Sequence, residues 1–430
     1  METTPATTSA KPEPPIFTRD FALVCLATLL FFTAFLFYFP TLPTFAERLG
    51  SAESEIGLLI AASSMTALVV RPFVGQLIDA LGSRRLVVAG ALLYVFTTLA
   101  YNLADSMPLL IVVRIFNGMS LATFVTSTGA YVADIAPVAR RGEAMGYYGL
   151  ANNLAFAIGP LIAVGVMDAS ALADAEEAIN ARAGWLAGAA AKPENFTLVF
   201  LLASGFALAA FVMSLRLRET GAARYPFRFV VNPADVFTRS ALFPSAINFV
   251  SSFAFATIVT FVALFAKDND MGGGASLFFL IYAASIMAMR LIGGRLSDRY
   301  GRGSMIVPGI AILAASLLVT GYAQHETMFW FGAMLYGVGA GAAQPALMAL
   351  TVDLAAPEER GRAMGTFTLS NDLGLSLGAL ALGVILEASN YETMYTVAAV
   401  IVLAGALIYV LGSGRLSKTA TVDASSGASP

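Results

Sequence analysis

The chain repeats itself at an offset of 219 residues, and the repeat runs through charged loops as well as apolar segments. Arg71, Gly75, Leu77, Asp79 and Gly82 recur as Arg290, Gly294, Leu296, Asp298 and Gly301. Asp134, Arg141, Gly142, Ala144, Met145 and Gly146 recur as Asp353, Arg360, Gly361, Ala363, Met364 and Gly365. Asn152 and Gly159 recur as Asn371 and Gly378, and no gap is needed between Arg71 and Gly159. Two copies of one segment must pack against each other. In a membrane, such halves leave a site at their junction that can open to either side.

Composition places that packing in a bilayer. Of 430 residues, 58% are hydrophobic and only 12% charged, against about 25% charged in a soluble domain. Cys25 is the single cysteine and His325 the single histidine, which argues against a disulfide, a zinc site or a histidine-based triad. No metal site or resident cofactor is expected. With no basic stripe and no Walker loop, neither nucleic acid nor ATP is an expected partner. The first 20 residues are polar and Pro/Thr-rich, and read as a cytoplasmic tail instead of a signal peptide.

A spanning helix needs about 20 apolar residues. Twelve such segments are expected near 21–45, 56–78, 86–104, 108–132, 144–168, 197–216, 240–266, 275–296, 304–323, 328–352, 363–387 and 391–413. The fold expected is therefore an all-α membrane protein of two six-helix halves, 21–216 and 240–413, joined by a cytoplasmic linker at 217–239. Eighteen of the 25 Lys and Arg lie on the side of the N-terminus, four lie on the other side, and Arg71, Arg114 and Arg290 fall within spans. That bias puts both termini in the cytoplasm. The segment 169–196 is expected to form a short surface helix, Asn195-Phe196-Thr197 matches a glycosylation sequon, and 414–430 reads as a disordered tail.

Gly75-Gln-Leu77-Ile-Asp79-Ala-Leu-Gly82-Ser-Arg84-Arg85 follows the second span, and Gly294-Arg295-Leu296-Ser297-Asp298-Arg299-Tyr300-Gly301-Arg302 follows the eighth. Both resemble the loop signature of the major facilitator superfamily, G-x-L-x-D-x-x-G-x-[RK]-[RK]. Ala80 and Ser83 depart from it, standing where the family often has basic residues. With twelve spans, the resemblance covers almost the whole chain. It implies a cytoplasmic gate in which Asp79 meets the start of helix 11, near Gly361 to Met364. Asp298 would meet the start of helix 5, near Gly142 to Met145, when the transporter faces outward. Glycine allows close approach and tight turning there, and an Asp can sit against the positive end of a helix.

An ionisable group at mid-membrane costs roughly 2.5 kcal/mol or more, so each one is a functional candidate. Arg114 has the neutral Ala333 as its repeat position and lies in Arg114-Ile-Phe-Asn117-Gly118. That run resembles the helix-4 motif which, in proton-coupled exporters of the family, is associated with proton coupling. It can also bind an anionic substrate group, or else snorkel to the outer surface. Asp372 is the one carboxylate deep in a span, and its repeat position is Asn153. Burial disfavours a charged carboxyl and a neighbouring cation favours it, so such a group can load and release a proton as access alternates. Arg71 and Arg290 lie about two turns from the ends of their spans and read first as snorkelling side chains, with a gating role open.

The family resemblance puts helices 1, 4, 7 and 10 around a central cavity, with 2, 5, 8 and 11 beside them. Candidate lining residues are Tyr38, Arg114, Asn117, Asn152, Asn153, Asn248, Tyr282, Tyr336, Gln344 and Asn371. Mixed aromatic and polar walls suit a small or moderate amphipathic molecule. Gly146 and then Gly159-Pro160 partly match the helix-5 motif of the family's antiporters, with Ala155, Ala163 and Val164 in place of three glycines.

These features lead to a secondary active transporter working by alternating access. It would export a small organic or amphipathic solute by proton antiport, with the proton gradient as energy source. Uptake or facilitated exchange of a sugar, organic acid or other metabolite is the alternative. A non-transporting membrane receptor would be a different class, and no nucleophile–base pair or ligand cluster suggests an enzyme. The expected partners are the solute and the bilayer of the cell membrane. One chain suffices to build the cavity, so a monomer is expected.

Overall fold

The computed structural model describes residues 15–137, 140–167, 196–220, 237–271, 274–356 and 359–426, with certain side chains inside these ranges outside the description. The expectations for 169–195, for Asn195 and for most of the central linker lie outside the described residues.

Among the described residues there is no strand, and twelve helices account for the fold. They are α1 (Arg19–Arg48), α2 (Glu53–Leu81), α3 (Ser83–Ala100), α4 (Met107–Ile135), α5 (Arg141–Met167) and α6 (Phe196–Leu215). The second set is α7 (Leu242–Asp268), α8 (Gly274–Tyr300), α9 (Gly303–Gly321), α10 (Glu326–Asp353), α11 (Arg360–Ala388) and α12 (Tyr391–Ser426). Eleven are long and apolar enough to cross a membrane; in α8 the apolar stretch is shorter, Leu277–Arg290. Charge enters α8 at Arg290 and persists to its end, which shortens that stretch. The last helix continues to Ser426, past the end expected at 413 and through most of the expected disordered tail. No Pro or Gly interrupts Arg415–Ser426, so the backbone has no local reason to stop.

Lipid offers no hydrogen-bond partners, so polar groups in the spans are satisfied internally. Thr33, Thr41 and Thr128 donate their hydroxyls to the carbonyls of Leu29, Phe37 and Phe124, one turn back. α7 departs from α geometry over Thr257–Phe261, a π-helical turn. Gly82 and Gly301 end α2 and α8 with φ of 92° and 86°. Side chains rarely adopt that conformation, which accounts for glycine at both repeat positions.

Packing repeats as the sequence does. In the first half α2 and α3 pack on α4, α1 on α5 and α6, and α3 on α6. In the second, α8 and α9 pack on α10, α7 on α11 and α12, and α9 on α12. A Cβ added at Gly118 would strike the Ser63 carbonyl; one at Gly337 would strike the carbonyl of Tyr282. Both residues of each pair are related by the 219-residue offset. Small residues at these crossings let the helix backbones touch. The halves meet mainly through two pairs, α2 with α11 and α5 with α8, with a smaller contact of α1 on α7.

The contacts between halves are concentrated on the face opposite to the one where α1 begins and α12 ends. There, Lys267 at the end of α7 pairs with Glu47 at the end of α1 at 2.6 Å. The backbone N–H of Ser54 in α2 donates to Glu387 of α11 at 3.3 Å, and a Cβ at Gly383 would come within 2.6 Å of the Glu53 carbonyl. On the other face, here the terminal face, Cβ atoms added at Gly75, Gly146 and Gly365 would meet nothing within 4 Å. A groove of about 560 Å³ opens there between α2, α7 and α11, lined by Val69, Pro72, Phe73, Phe249, Leu369 and Leu373 among others.

Candidate functional site

Three arginines and one carboxylate lie within the spans and can be read from the residues outward. Arg71 of α2 reaches across the α2–α11 contact to Asp372, Nη2 lying 3.1 Å from Oδ2 and 3.5 Å from Oδ1. Their side chains are only 15% and 10% exposed. The expectation of a snorkelling Arg71 is thus corrected. The cause is α11, which brings a carboxylate closer than the headgroups. Asn371 also lies within side-chain hydrogen-bond range of the Asp372 carboxyl, whose backbone carbonyl accepts from Ser376. The pair joins the two halves within the spans, where each charge alone would be costly.

Arg114 does not snorkel either. It is 1% exposed, its Nε donates to the Leu59 carbonyl at 3.2 Å, and its Nη1 donates to Asn117 Oδ1 at 3.3 Å. Ser63 donates to the same Asn117 oxygen. Among the described residues no carboxylate pairs with Arg114. The guanidinium is therefore a buried cation held inside the first half by a carbonyl and an amide, with the Tyr101 hydroxyl also within side-chain hydrogen-bond range. Tyr38, expected on the cavity wall, is instead wholly buried beside Tyr101, ring centroids 4.4 Å apart. Asn117 is likewise buried between α2 and α4. Helix 1 carries more aromatic rings than one cavity wall needs, and Phe31 stacks on Phe124 at 4.0 Å in the core of the first half.

In the second half, Asn248 donates to the Phe367 carbonyl and to Ser370, tying α7 to α11. Asn371 accepts from Ser252 at 2.8 Å. Tyr282 and Tyr336 are buried and pack on each other and on Phe255. Gln344 is exposed and accepts from Arg290 Nη2 at 3.2 Å. Asn152 is half-buried, with its Oδ1 lacking a partner among the described residues. The side chain of Asn153 lies outside the described residues.

The loop motif serves its own half first. Arg84 Nε donates to the Leu217 carbonyl at 2.6 Å and Nη2 donates to that of Leu215, capping the end of α6. Ser83 donates to Asp134 at the end of α4; at the equivalent place in the second half, Arg302 pairs with Asp353 at 2.8 Å. Arg85 and Asp79 are exposed, and among the described residues no hydrogen bond or ion pair joins Asp79 to the start of α11. With the terminal face parted, Gly75 has no helix against it; Gly294 and the Asp298 side chain lie outside the description. Gly159 packs α5 onto α1, since an added Cβ would lie 2.7 Å from Leu36 Cβ. Pro160 is accommodated inside a continuous α5, and Gly146 is exposed.

Arg71 could not be paired from the sequence, because its partner lies 301 residues away. The offset gives a weaker signal. Arg71 and Arg290 recur, whereas Asp372 and Asn153 do not, and that mismatch marks the position where one half has an acid and the other lacks it.

Two pseudo-symmetric bundles of spanning helices, closed together on one face and parted on the other, define a membrane transporter. Comparison with known proteins identifies the family. The Major Facilitator Superfamily matches residues 24–277 and 245–426, and the chain belongs to it. An uncharacterised MFS-type transporter of Methanocaldococcus jannaschii is 27% identical over 390 residues, covering 87% of this chain and 93% of its own. The staphylopine export protein of Staphylococcus aureus is 24% identical over 396 residues, covering 89% and 93%. A bacterial homologue of the human lysosomal transporter Spinster, solved in an inward-facing and unoccupied conformation, superposes with a TM-score of 0.76 at 14% identity, covering 95% and 99% of the two chains. The family and these relatives are membrane transporters, not enzymes.

Proposed function

We propose that this transporter works by alternating access and exports a small organic solute in exchange for protons, with Asp372 as the proton-carrying group. The observation that carries the reading is the Arg71–Asp372 pair between α2 and α11. A proton on Asp372 removes the attraction that holds the two helices at that level. Its loss restores the attraction, so protonation and movement of the halves are linked through one contact. The Lys and Arg distribution makes the terminal face cytoplasmic, and the plasma membrane is the expected site. With the cytoplasmic face closed, Asp79 would meet the start of α11 as the latch. Arg114, a cation without a carboxylate among the described residues, would act as a second coupling group by biasing the first half electrostatically. An export protein among the relatives supports the direction. The chain would act as a monomer on a small solute.

The test is proton movement in proteoliposomes holding the purified protein, wild type beside Asp372→Asn, across a panel of solutes. Solute-dependent proton flux that vanishes in the variant is expected. Solute movement without proton flux, equal in both proteins, would establish facilitated exchange and reduce Asp372 to a structural residue.

A further inference from the structure

The two halves differ most at the level of the intramembrane arginines. Arg71 and Arg290 are related by the repeat, and α2 packs on α11 as α8 packs on α5. Arg71 has Asp372 across its contact. The position equivalent to Asp372 on α5 is Asn153. Among the described residues no carboxylate pairs with Arg290. Its Nε is buried without a partner, and its Nη2 donates only to the side-chain oxygen of Gln344, whose repeat position is the apolar Val125. Arg290 thus has an asparagine on α5 where the repeat has Asp372, and an amide on α10 where the repeat has Val125.

Arg290 also points inward. Met289 faces Gly341 of α10, as its Cβ distance of 2.8 Å from a Cβ built there shows. Ile292, roughly 200° around the helix from Arg290, is 55% exposed and takes the lipid side. A guanidinium with unused donors, a neighbouring exposed amide and no acid is a poor arrangement for stability in a bilayer. It matches the fork geometry that recognises an oxyanion. Arg114 is less suited, because its guanidinium is enclosed in the first half. Tyr282, within electrostatic range of Arg290, packs on Tyr336 and Phe255, and Phe255 meets Phe156 of α5 across the halves. Half-buried Phe255 and Phe156 therefore present aromatic rings at the junction of the halves, backed by Tyr282 on the helix that carries Arg290.

We infer that Arg290, with Gln344 beside it, is an anion-recognising subsite, and that the transported solute is an amphipathic organic anion bearing a carboxylate or similar oxyanion. The anionic end binds the guanidinium and the apolar end lies against these aromatic rings. This rests on the export reading for its setting, but its test separates the two.

Binding of radiolabelled phenylbutyrate to the purified full chain is compared with binding of its uncharged amide, phenylbutyramide. Wild type should prefer the acid by about tenfold or more, the loss expected when a charge-assisted hydrogen bond is missing. Arg290→Gln should abolish the preference, and Arg290→Lys should keep most of it, which shows that charge and not folding is read. Asn153→Asp restores the acid missing from the repeat and should weaken binding of the acid while sparing the amide. Equal affinity of wild type for acid and amide would overturn the subsite, as would a preference that survives in Arg290→Gln. An undiminished preference in Asn153→Asp would overturn the argument from the missing acid. Solute-driven proton flux without acid preference would overturn the subsite and leave export standing. Acid preference without coupled flux would do the reverse.

Discussion

The Arg71–Asp372 pair yields a quantitative expectation. At 3.1 Å and an effective dielectric of about 20, the gross attraction is about 5 kcal/mol. Desolvation of both groups offsets much of it, so the pair as a whole contributes little net stability. The asymmetry appears when one partner goes. Arg71→Gln leaves a carboxylate that is only 10% exposed, and Asp372→Asn leaves a guanidinium at the same depth. Each should lower stability by about 3 kcal/mol, the lower end of the range for breaking a buried pair, because the carboxylate can take up a proton and the arginine can bend toward the interface. The double variant Arg71→Gln/Asp372→Asn places two neutral amides within reach of each other and should fall within about 1 kcal/mol of wild type. A double-mutant cycle by equilibrium unfolding in mixed micelles should therefore show strong coupling, with the double variant more stable than either single one. If the two single losses add in the double variant to within about 0.5 kcal/mol, the pair is not an energetic unit and the coupling mechanism built on it fails.

Two further outcomes follow from geometry alone. Gly82→Ala and Gly301→Ala should each cost about 1–3 kcal/mol, because the positive φ at both positions strains any side chain. Unchanged melting in both would show that these turns relax freely. On the opposite face, Glu47→Gln should open the α1–α7 ends no more than about fivefold, because a pair with about a third of each side chain exposed is worth under about 1 kcal/mol. Spin-label distances across those ends, measured at low salt, would contradict this if they shifted to a wholly open population.

Much of the fold was legible because a bilayer leaves the chain few choices. Apolar runs near 20 residues must become helices, and charge between them must stay outside. The repeat then set the halves and their equivalent contacts, and the family signature lay in the loops themselves. Asp372 and Arg114 stood out because a charge in a span is rare. Their surroundings did not. Arg71 and Arg114 both allowed a snorkelling reading, since a long side chain can reach the interface from either position. Only the packing of α2 on α11 placed a carboxylate beside Arg71, and only the crossing of α2 and α4 put a carbonyl and an amide around Arg114. Tyr38 belonged by sequence to a cavity-lining helix, yet its rotation about the helix axis turned it into the core.

Span number, the two-half organisation and the presence of costly intramembrane charges were therefore decided locally, by hydropathy and by the offset of the repeat. Which charge meets which, which face is closed and which polar groups remain without an acid were decided by helix rotation and by contacts hundreds of residues apart. A few ångströms of approach across the α2–α11 and α5–α8 contacts separate a satisfied ion pair from an open cation, and nothing along the chain specifies that distance.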